Sequence, residues 1–515
     1  MPAWVPESTF TVSILLLLCS IVQSATGGYD GSMLNGLNIL PSYKDYFNLN
    51  EATTGLNTAS VSIGGLLGPL VSGVLADRLG RRPAIFWGSS LTIVGIIIQT
   101  ASQNIAMFVV ARAILGFGSA ISGIAGGVYL SEAFPSRWRA WGVGLLNDFY
   151  YVGALIAAGV TLGTGQWQST WAWRAPSLFQ AVFSLLCILT LPFIPESPRW
   201  LAHQGYYEEA RLSVAQTNSH GNLSDPVVLT IFKEIVDTLK WEKENWHSMS
   251  PIEIFKKPVA RKRLLVGMSA GPFSCIAGNI IASYYFGLEL DTAGITDKNE
   301  QLKANVVLNV WCLVCCLVGT HLAAKWGRKP TAMLSQALLS ACLFIIGGLS
   351  KIYASNPKSA SNALVYGNVA VIFLFQGFYS IGWTTLLYLY PSEIMNYSIR
   401  ANGVAFSSFV LNAFALVFTF IMPIGLGNIG WKMYIINASW DIIILGLIAY
   451  YWVETKGKTL EEIDALFEGE KHSTVPDVEK IEKGQKQIDV VAIAEELNAE
   501  LGPSSAKASG IHIAP

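Results

Sequence analysis

The feature that most constrains the fold of this chain is a series of twelve apolar runs, each about 20 residues long. A run of that length crosses a hydrocarbon core about 30 Å thick as an α-helix. The runs predict transmembrane helices at residues 10–30, 56–76, 84–102, 107–130, 141–163, 175–194, 264–287, 305–324, 331–350, 364–389, 402–424 and 431–453. The chain is therefore predicted to be an all-α, multi-pass membrane protein whose first partner is the lipid bilayer.

Composition agrees with this assignment and excludes several classes. The chain is 52% hydrophobic and 13% charged, with a net charge of -1, so no basic face suggests a nucleic-acid partner. All seven cysteines fall inside apolar runs, and no metal-ligand spacing accompanies them. The first run could instead be a cleaved secretory signal, but it lacks a basic segment before it and eleven more runs follow.

Arginines indicate the orientation of the chain. They concentrate in alternate connections between the runs, and the opposite connections contain only Arg174, at a helix start. Both termini are therefore expected in the cytoplasm. The predicted organisation is a cytoplasmic N-terminus (1–9), a six-helix bundle (10–194), a helical cytoplasmic linker domain (195–263), a second six-helix bundle (264–453) and a largely disordered cytoplasmic tail (454–515).

The chain also contains an internal repeat. "ADRLGRRPA" around Gly80 returns as "AKWGRKPTA" around Gly327, an offset of 247 residues. "SEAFPSRWRA" at Glu132 returns as "SEIMNYSIRA" at Glu393, an offset of 261, and Glu196 is echoed by Glu454, an offset of 258. Charged motifs that recur in order at nearly one offset predict two six-helix halves, an architecture that lets a transporter rock about a midplane site.

These motifs place acids and bases at one predicted depth in both halves. Ion pairs and helix-end contacts among them could hold the halves closed at the cytoplasmic side. The alternative is that the charges serve only topology and solvation. The predicted cytoplasmic gate comprises Asp77, Arg81, Arg82, Glu132, Arg139, Glu196, Arg199, Arg328, Glu393, Arg400 and Glu454.

With these motifs in order, the sequence resembles the major facilitator superfamily and, within it, the sugar porter family. The likeness runs from about residue 28 to 467 and rests on "GYDGSMLNG", "GVLADRLGRR", "YLSEAFPSRWRA", "WAWRAP", "PESPRWL", "WGRK", "YPSEIMNYSIR" and "VETKGKTLEE". The fungal lactose-permease-like branch is most similar, through "AGNIIASYY" and "LYPSEIMNYSIRANG". The resemblance implies two pseudo-symmetric six-helix bundles with a cytoplasmic interlock, in which Ala324 stands where the family usually has Asp.

Two opposite charges, Asp30 and Arg112, lie within predicted spans of the first half. Charges inside a membrane are costly and need partners, so the two are expected to pair. The resemblance implies that Asp30 accepts a proton and that Arg112 modulates it, with the proton as coupling ion and no other cofactor. A static ion pair is the alternative. Asp148 is a further intramembrane acid with no obvious counterpart in the family.

Sugar recognition requires amide groups for hydroxyls and aromatic faces for C–H surfaces, within an apolar wall. By resemblance, the candidate substrate residues are Asn147, Asn279, Tyr284, Tyr285, Trp383 and Asn412. The chain departs from the family at Cys275, where a Gln is usual, at Ala277, where a Ser is usual, and at Thr384 and Thr385, where "GP" is usual. These departures leave a larger or less polar substrate open.

The predicted function is secondary active sugar transport by alternating access, in symport with a proton, in the plasma membrane and as a monomer. The strongest rival is a facilitator or exporter of another small polar metabolite. A non-transporting sugar sensor is less well supported because the predicted tail is short. Catalysis and ATP-driven pumping are not predicted, since no clustered catalytic groups, metal spacing or phosphate-binding loop is found.

Overall fold

The structure is a computed structural model that describes residues 4–134, 136–245, 256, 258–355, 361–395 and 397–456. Side chains at a few helical positions, including 136–147 and 397–402, lie outside this description. The described residues are nearly all helical and contain no strand. The first half contains α1 (Thr9–Ile39), α2 (Glu51–Leu79), α3 (Arg81–Thr100), α4 (Ile105–Ala133), α5 (Ser136–Thr164) and α6 (Trp171–Phe193). The second contains α7 (258–293), α8 (Lys298–Lys325), α9 (Arg328–Ser355), α10 (362–394), α11 (Tyr397–Ile429) and α12 (Lys432–Tyr451).

The predicted all-α architecture of two six-helix halves is confirmed. Within the described residues, ten helices are long and apolar enough to cross a membrane. The other two are α5, which is one continuous helix, and α7, which is a series of short helical segments. The helical path of α7 breaks at Gly278, where φ is 90°, and again between Tyr284 and Phe286. Glycine tolerates this left-handed geometry because it has no Cβ.

The two halves meet along long helices. Helix α2 packs along α11, and α5 packs along α8. Each half has its own apolar core, and Tyr284 packs against both. We call the end of the molecule that carries Arg81 and Arg328 the inner end, which is the end predicted to be cytoplasmic, and the opposite end the outer end.

Residues 195–245 of the connection between the halves form three helices, Pro198–His203, Tyr207–Asn218 and Pro226–Asn245, around a small apolar core of their own. This segment is joined to the start of α1, because the His220 backbone N–H donates to Thr9 Oγ1 at 2.7 Å and the Thr9 N–H donates to His220 Nδ1 at 3.3 Å. The predicted linker domain also includes residues 246–255 and 257, which lie outside the described residues. The predicted disordered tail beyond residue 456 lies outside them as well.

Candidate functional site

Asp30 of α1 and Arg112 of α4 form a buried ion pair in the first half. The Arg112 guanidinium donates from Nη1 to Oδ1 and from Nη2 to Oδ2, each at 3.0 Å. The Arg112 side chain is fully buried, and that of Asp30 is 7% exposed. This bidentate geometry is the strongest form of an arginine–carboxylate contact. The structure therefore brings the two predicted residues together, while their role in proton coupling stays a prediction.

Two neutral groups complete the surroundings of this pair. Gln180 of α6 donates from Nε2 to Asp30 Oδ1 at 3.1 Å. Arg112 also donates from Nε to the backbone carbonyl of Asn57 on α2, at 2.9 Å. The pair thus links four helices of one half. Removing one charge of a buried pair leaves the other charge uncompensated. Protonation of Asp30 would therefore weaken the contacts that link these four helices.

Asn279 of α7 has a polar neighbourhood suited to a hydroxylated substrate. Its Oδ1 accepts hydrogen bonds from Gln376 Nε2 of α10 at 2.8 Å and from Ser283 Oγ at 3.0 Å. The Oε1 atom of Gln376 is buried and has no hydrogen-bond partner among the described residues. A buried acceptor without a partner is costly. Gln376 therefore has an acceptor that would gain from a substrate hydroxyl, and it is absent from the sequence prediction.

The polar atoms of two aromatic candidates, Tyr285 and Trp383, already have hydrogen-bond partners within the protein. Tyr285 is buried and donates its hydroxyl to the Thr419 carbonyl at 2.8 Å. Trp383 is buried and donates from Nε1 to Gln336 Oε1 at 2.9 Å. These two side chains can therefore supply an apolar wall and ring faces rather than free hydrogen-bonding groups.

The remaining candidates are placed less directly. Asn412 of α11 donates from Nδ2 to the Ser408 carbonyl of its own helix at 2.8 Å, and its side chain lies against Gly65 of α2 across the boundary between the halves. Tyr284 is half-buried and lies at the break in α7. Asn147 lies on α5, but its side chain is outside the described residues.

Asparagines of α1 join the halves at the outer end, where α7 is broken. Asn35 Oδ1 accepts the backbone N–H of Phe286 at 3.1 Å, and Asn38 Nδ2 donates to the carbonyl of Tyr284 at 3.1 Å. A backbone N–H that has lost its helical acceptor needs another partner. The side chains of α1 supply partners at this break, so opening the outer end requires these bonds to be replaced.

Helix α8 extends the same outer connection. Asn35 Nδ2 donates to Asn305 Oδ1 at 3.2 Å, and Asn309 Nδ2 donates to Ser32 Oγ at 3.3 Å. A cavity of about 580 Å³ lies nearby and is lined by both halves. Its polar lining includes Asn38, Lys44, Asn50, Glu51, Thr54 and Tyr285. The cavity lies beside the asparagine contacts that join the halves at the outer end.

At the inner end of the first half, Arg81 binds Glu132 of α4 through two bonds, Nε to Oε2 at 3.0 Å and Nη2 to Oε1 at 3.1 Å. Arg81 also lies 3.3 Å from Asp77, whose side chain is 68% exposed. Glu196 accepts from the backbone N–H groups of Arg81 and Arg82 at 3.0 and 3.2 Å, at the N-terminus of α3. Burial raises the pKa of Glu196 above its ordinary value, opposed by these N–H donors and the charge of Arg82.

The inner end of the second half repeats this arrangement. Arg328 binds Glu393 through Nε at 3.0 Å and Nη2 at 2.6 Å. Glu454 accepts from the backbone N–H groups of Arg328 and Lys329 at 2.9 and 3.0 Å. Ala324 occupies the place of Asp77, and the ion pair forms without that acid. The internal repeat therefore corresponds to the same arrangement of charged side chains in each half.

The geometry of the turn explains why each copy of the repeat has a glycine at its centre. Gly80 and Gly327 both have positive φ, 100° and 116°. A Cβ at Gly80 would lie 2.8 Å from Glu196 Oε2, and a Cβ at Gly327 would lie 2.5 Å from Glu454 Oε2. Each turn therefore needs both the backbone freedom of glycine and its lack of a side chain, because the capping carboxylate occupies that space.

These contacts correct one expectation about the gate. The described ion pairs each join helices of one half, so they stiffen that half rather than tie the halves to each other.

The other gate residues are placed as follows: Arg82 donates to the Leu191 carbonyl at 2.7 Å, and Arg199 is half-buried in the helix Pro198–His203. The side chains of Arg139 and Arg400 lie outside the described residues.

We expect Arg81→Ala and Glu132→Ala to slow turnover several-fold with little change in substrate binding. Each change breaks a largely buried ion pair that helps the helix ends of one half move as a unit. Asp77→Ala is the matched control and should have a smaller effect, because Asp77 is exposed and the corresponding ion pair of the second half forms with Ala324 at that place. The check is initial uptake rate beside ligand-induced fluorescence change. Full transport rates in both variants would show that these charges serve only the membrane topology of the chain.

Comparisons with known proteins agree with this geometry. Residues 16–467 match the family model "Sugar (and other) transporter". The chain is 30% identical to a high-affinity glucose transporter of Kluyveromyces lactis over 459 residues, covering 85% of this chain and 82% of the relative. It is 28% identical to the MFS-type transporter criB of Aspergillus cristatus, covering 90% and 95%.

Solved structures show the same fold. The proton:xylose symporter XylE bound to 6-bromo-6-deoxy-D-glucose superposes with a TM-score of 0.74 at 19% sequence identity, covering 90% of this chain and 100% of that one. Two six-helix halves, a repeated inner-end cluster and a family match across nearly all of the predicted spans lead to one assignment. The chain belongs to the sugar (and other) transporter family of the major facilitator superfamily.

Proposed function

We propose that this protein moves a sugar across the membrane by alternating access, in symport with a proton. The observation that carries the proposal is the buried Asp30–Arg112 pair, since it places one titratable carboxylate against one fixed cation inside the membrane. The names of a relative and of a structural neighbour, a glucose transporter and a proton:xylose symporter, support a hexose or pentose as substrate.

The proton step follows from the contacts of Asp30. A proton arriving from the outer end neutralises the carboxylate and weakens its bond to Arg112. Helix α1 is then freer to move against α4 and α6, and its asparagines can form the bonds to Tyr284 and Phe286 that join the outer ends. Release of the proton at the inner end restores the charge and the pair. Substrate crosses in the same cycle because both events depend on the position of α1.

The substrate is proposed to bind between the halves, with Asn279 and Gln376 supplying amide groups. Tyr284, Tyr285 and Trp383 would form the aromatic wall, and Asn147 and Asn412 would contribute from α5 and α11. The protein is proposed to act as a monomer in the plasma membrane with both termini in the cytoplasm. No cofactor other than the coupling proton is required.

A second candidate is a facilitator or exporter of another small metabolite. It is favoured by Cys275 and Ala277, which are buried on α7 where the family usually has hydrogen-bonding side chains. The Cys275 thiol faces the Leu411 carbonyl at 3.9 Å, a weak contact that offers little to a sugar hydroxyl.

Uptake of labelled sugars by a yeast strain that lacks its own hexose carriers tests the proposal. We expect uptake of at least one of glucose, xylose and lactose, and we expect Gln376→Leu to raise its KM about tenfold, the effect of losing one buried hydrogen bond. Asn368→Leu is the control: Asn368 lies on the same helix and also has a buried oxygen without a described partner, but its Nδ2 bonds Ser350 rather than Asn279. Failure to transport any sugar, with saturable transport of another metabolite, would favour the second candidate.

A further inference from the structure

Asp148 of α5 is a buried intramembrane acid that the proton step described above does not use. It is 2% exposed. Thr320 of α8 donates its hydroxyl to this carboxylate, with 3.0 Å to Oδ1 and 3.1 Å to Oδ2. Helix α5 belongs to the first half and α8 to the second. The described hydrogen bond of this acid therefore crosses the boundary between the halves.

The surroundings of Asp148 are polar but uncharged. Thr320 Oγ1 also lies 3.3 Å from Thr385 Oγ1 of α10. One turn along α5, the Tyr151 hydroxyl accepts from Ser380 Oγ at 2.7 Å and lies 3.4 Å from Thr384 Oγ1, so α5 contacts α10 as well as α8.

Within the described side chains, the titratable groups near Asp148 are thiols and a phenol rather than cations. Cys316 of α8 is its neighbour, Cys312 lies one turn further along α8, and Tyr151 lies on its own helix. Among the residues whose side chains are described, no Lys or Arg pairs with Asp148. One neutral hydroxyl and one thiol offset poorly the free energy of holding an ionised carboxylate inside a membrane. The packed interface therefore favours the protonated acid.

The contact lies toward the inner end. Thr320 precedes the last residue of α8, Lys325, by five residues, which is roughly 7.5 Å at about 1.5 Å per residue. When the halves separate at the inner end, Thr320 moves away from Asp148 and water from that side reaches the carboxylate. Ionisation then becomes favourable, and it opposes reclosure until a proton returns.

We propose that Asp148 is a second proton-binding residue that couples opening of the inner end to the pH on that side. This inference rests on the proposed alternating-access function. The acid loses its proton to water at the inner end on opening and takes one from the same water before closing. Asp148 therefore moves no net proton across the membrane. The proton-to-sugar ratio stays that set by Asp30. Reclosure of the inner end slows as the inner side becomes more alkaline, because the ionised acid must regain a proton before the halves close.

Exchange of labelled for unlabelled sugar in membrane vesicles tests this inference, because exchange needs no driving gradient. The inner pH is varied between about 5.5 and 8 at constant outer pH. In the wild type we expect exchange to slow several-fold toward alkaline inner pH, and in Asp148→Asn we expect this dependence to be largely lost. The same comparison in an Asp30→Asn background removes the contribution of the first acid, so a dependence that remains there and disappears on adding Asp148→Asn belongs to Asp148.

Two further variants sharpen the result. Asp441→Asn is the matched control, because Asp441 is a fully buried acid on α12 with no described hydrogen bond to the first half, and its pH dependence should equal that of the wild type. Thr320→Val removes the hydroxyl that could offset an ionised Asp148 in the packed interface, so its exchange should slow toward alkaline inner pH at least as strongly as that of the wild type.

An unchanged inner-pH dependence in Asp148→Asn would overturn the inference, and so would an equal loss in Asp441→Asn. Loss of the inner-pH dependence in Thr320→Val would also contradict it. These outcomes differ from a failure of the proposed symport, which would appear as absent proton-driven accumulation in the wild type while exchange continues.

Discussion

Asp30→Asn is expected to abolish accumulation of sugar against its gradient while leaving substrate binding and exchange measurable. The asparagine keeps the size of the side chain but carries no charge for Arg112 and cannot release a proton at the inner end. A proton gradient then has no step on which to act. The check is accumulation by energised vesicles, followed by exchange of labelled for unlabelled sugar in the same preparation.

Arg112→Ala should behave differently from Asp30→Asn. It leaves an acid that can still bind and release a proton but has lost its cation, so uptake should persist with its pH profile moved upward. Asp441→Asn serves as the control for neutralising a buried membrane acid, and accumulation should survive in it. Wild-type accumulation by Asp30→Asn would make Asp30 a structural residue.

The second large effect concerns folding. Gly28→Ala should sharply lower the yield and thermal stability of the protein, because a Cβ at Gly28 would lie 1.8 Å from the carbonyl oxygen of Tyr150 on α5. A backbone atom cannot move aside as a flexible side chain can, so α1 and α5 must separate. Overpacking of this kind typically destabilises by about 1–3 kcal/mol and sometimes more. The measurement is the melting temperature of detergent-purified protein followed by size-exclusion chromatography.

Gly27→Ala is the matched control, one residue away on the same helix. A Cβ at Gly27 meets no atom within 4 Å, and alanine favours the helix more than glycine does. Gly153→Ala on α5 tests the same contact from the other side, since its Cβ would lie 2.0 Å from the Ala25 carbonyl oxygen. Equal melting temperatures for Gly28→Ala and Gly27→Ala would show that α1 and α5 are not packed this closely.

Much of the architecture follows from sequence because its physical causes are local or repeated. Helix length follows from the thickness of the membrane. The pairing of Asp30 with Arg112 follows from the need of a buried charge for a partner. The two inner-end clusters follow from the repeat, which places Arg81 with Glu132 and Arg328 with Glu393.

Other features of the site could not be read from the chain. Gln180 and Gln376 are single neutral amides in apolar runs, and nothing in their spacing shows that one bonds Asp30 and the other bonds Asn279. The two glycines at 27 and 28 are alike in sequence, and only the approach of α5 separates them. The expectation that ion pairs join the halves was wrong for the described pairs, because spacing within each copy does not tell which helix supplies the partner.

The central claim is that sugar and proton cross in the same cycle and that the Asp30–Arg112 pair couples them. The most direct test is proton movement on sugar addition. Cells expressing the protein are placed in weakly buffered medium, an accepted sugar is added, and external pH is recorded together with label uptake. We predict that the medium becomes more alkaline in proportion to uptake with the wild type and that no change occurs with Asp30→Asn. Full sugar uptake by the wild type without any proton movement would contradict the account.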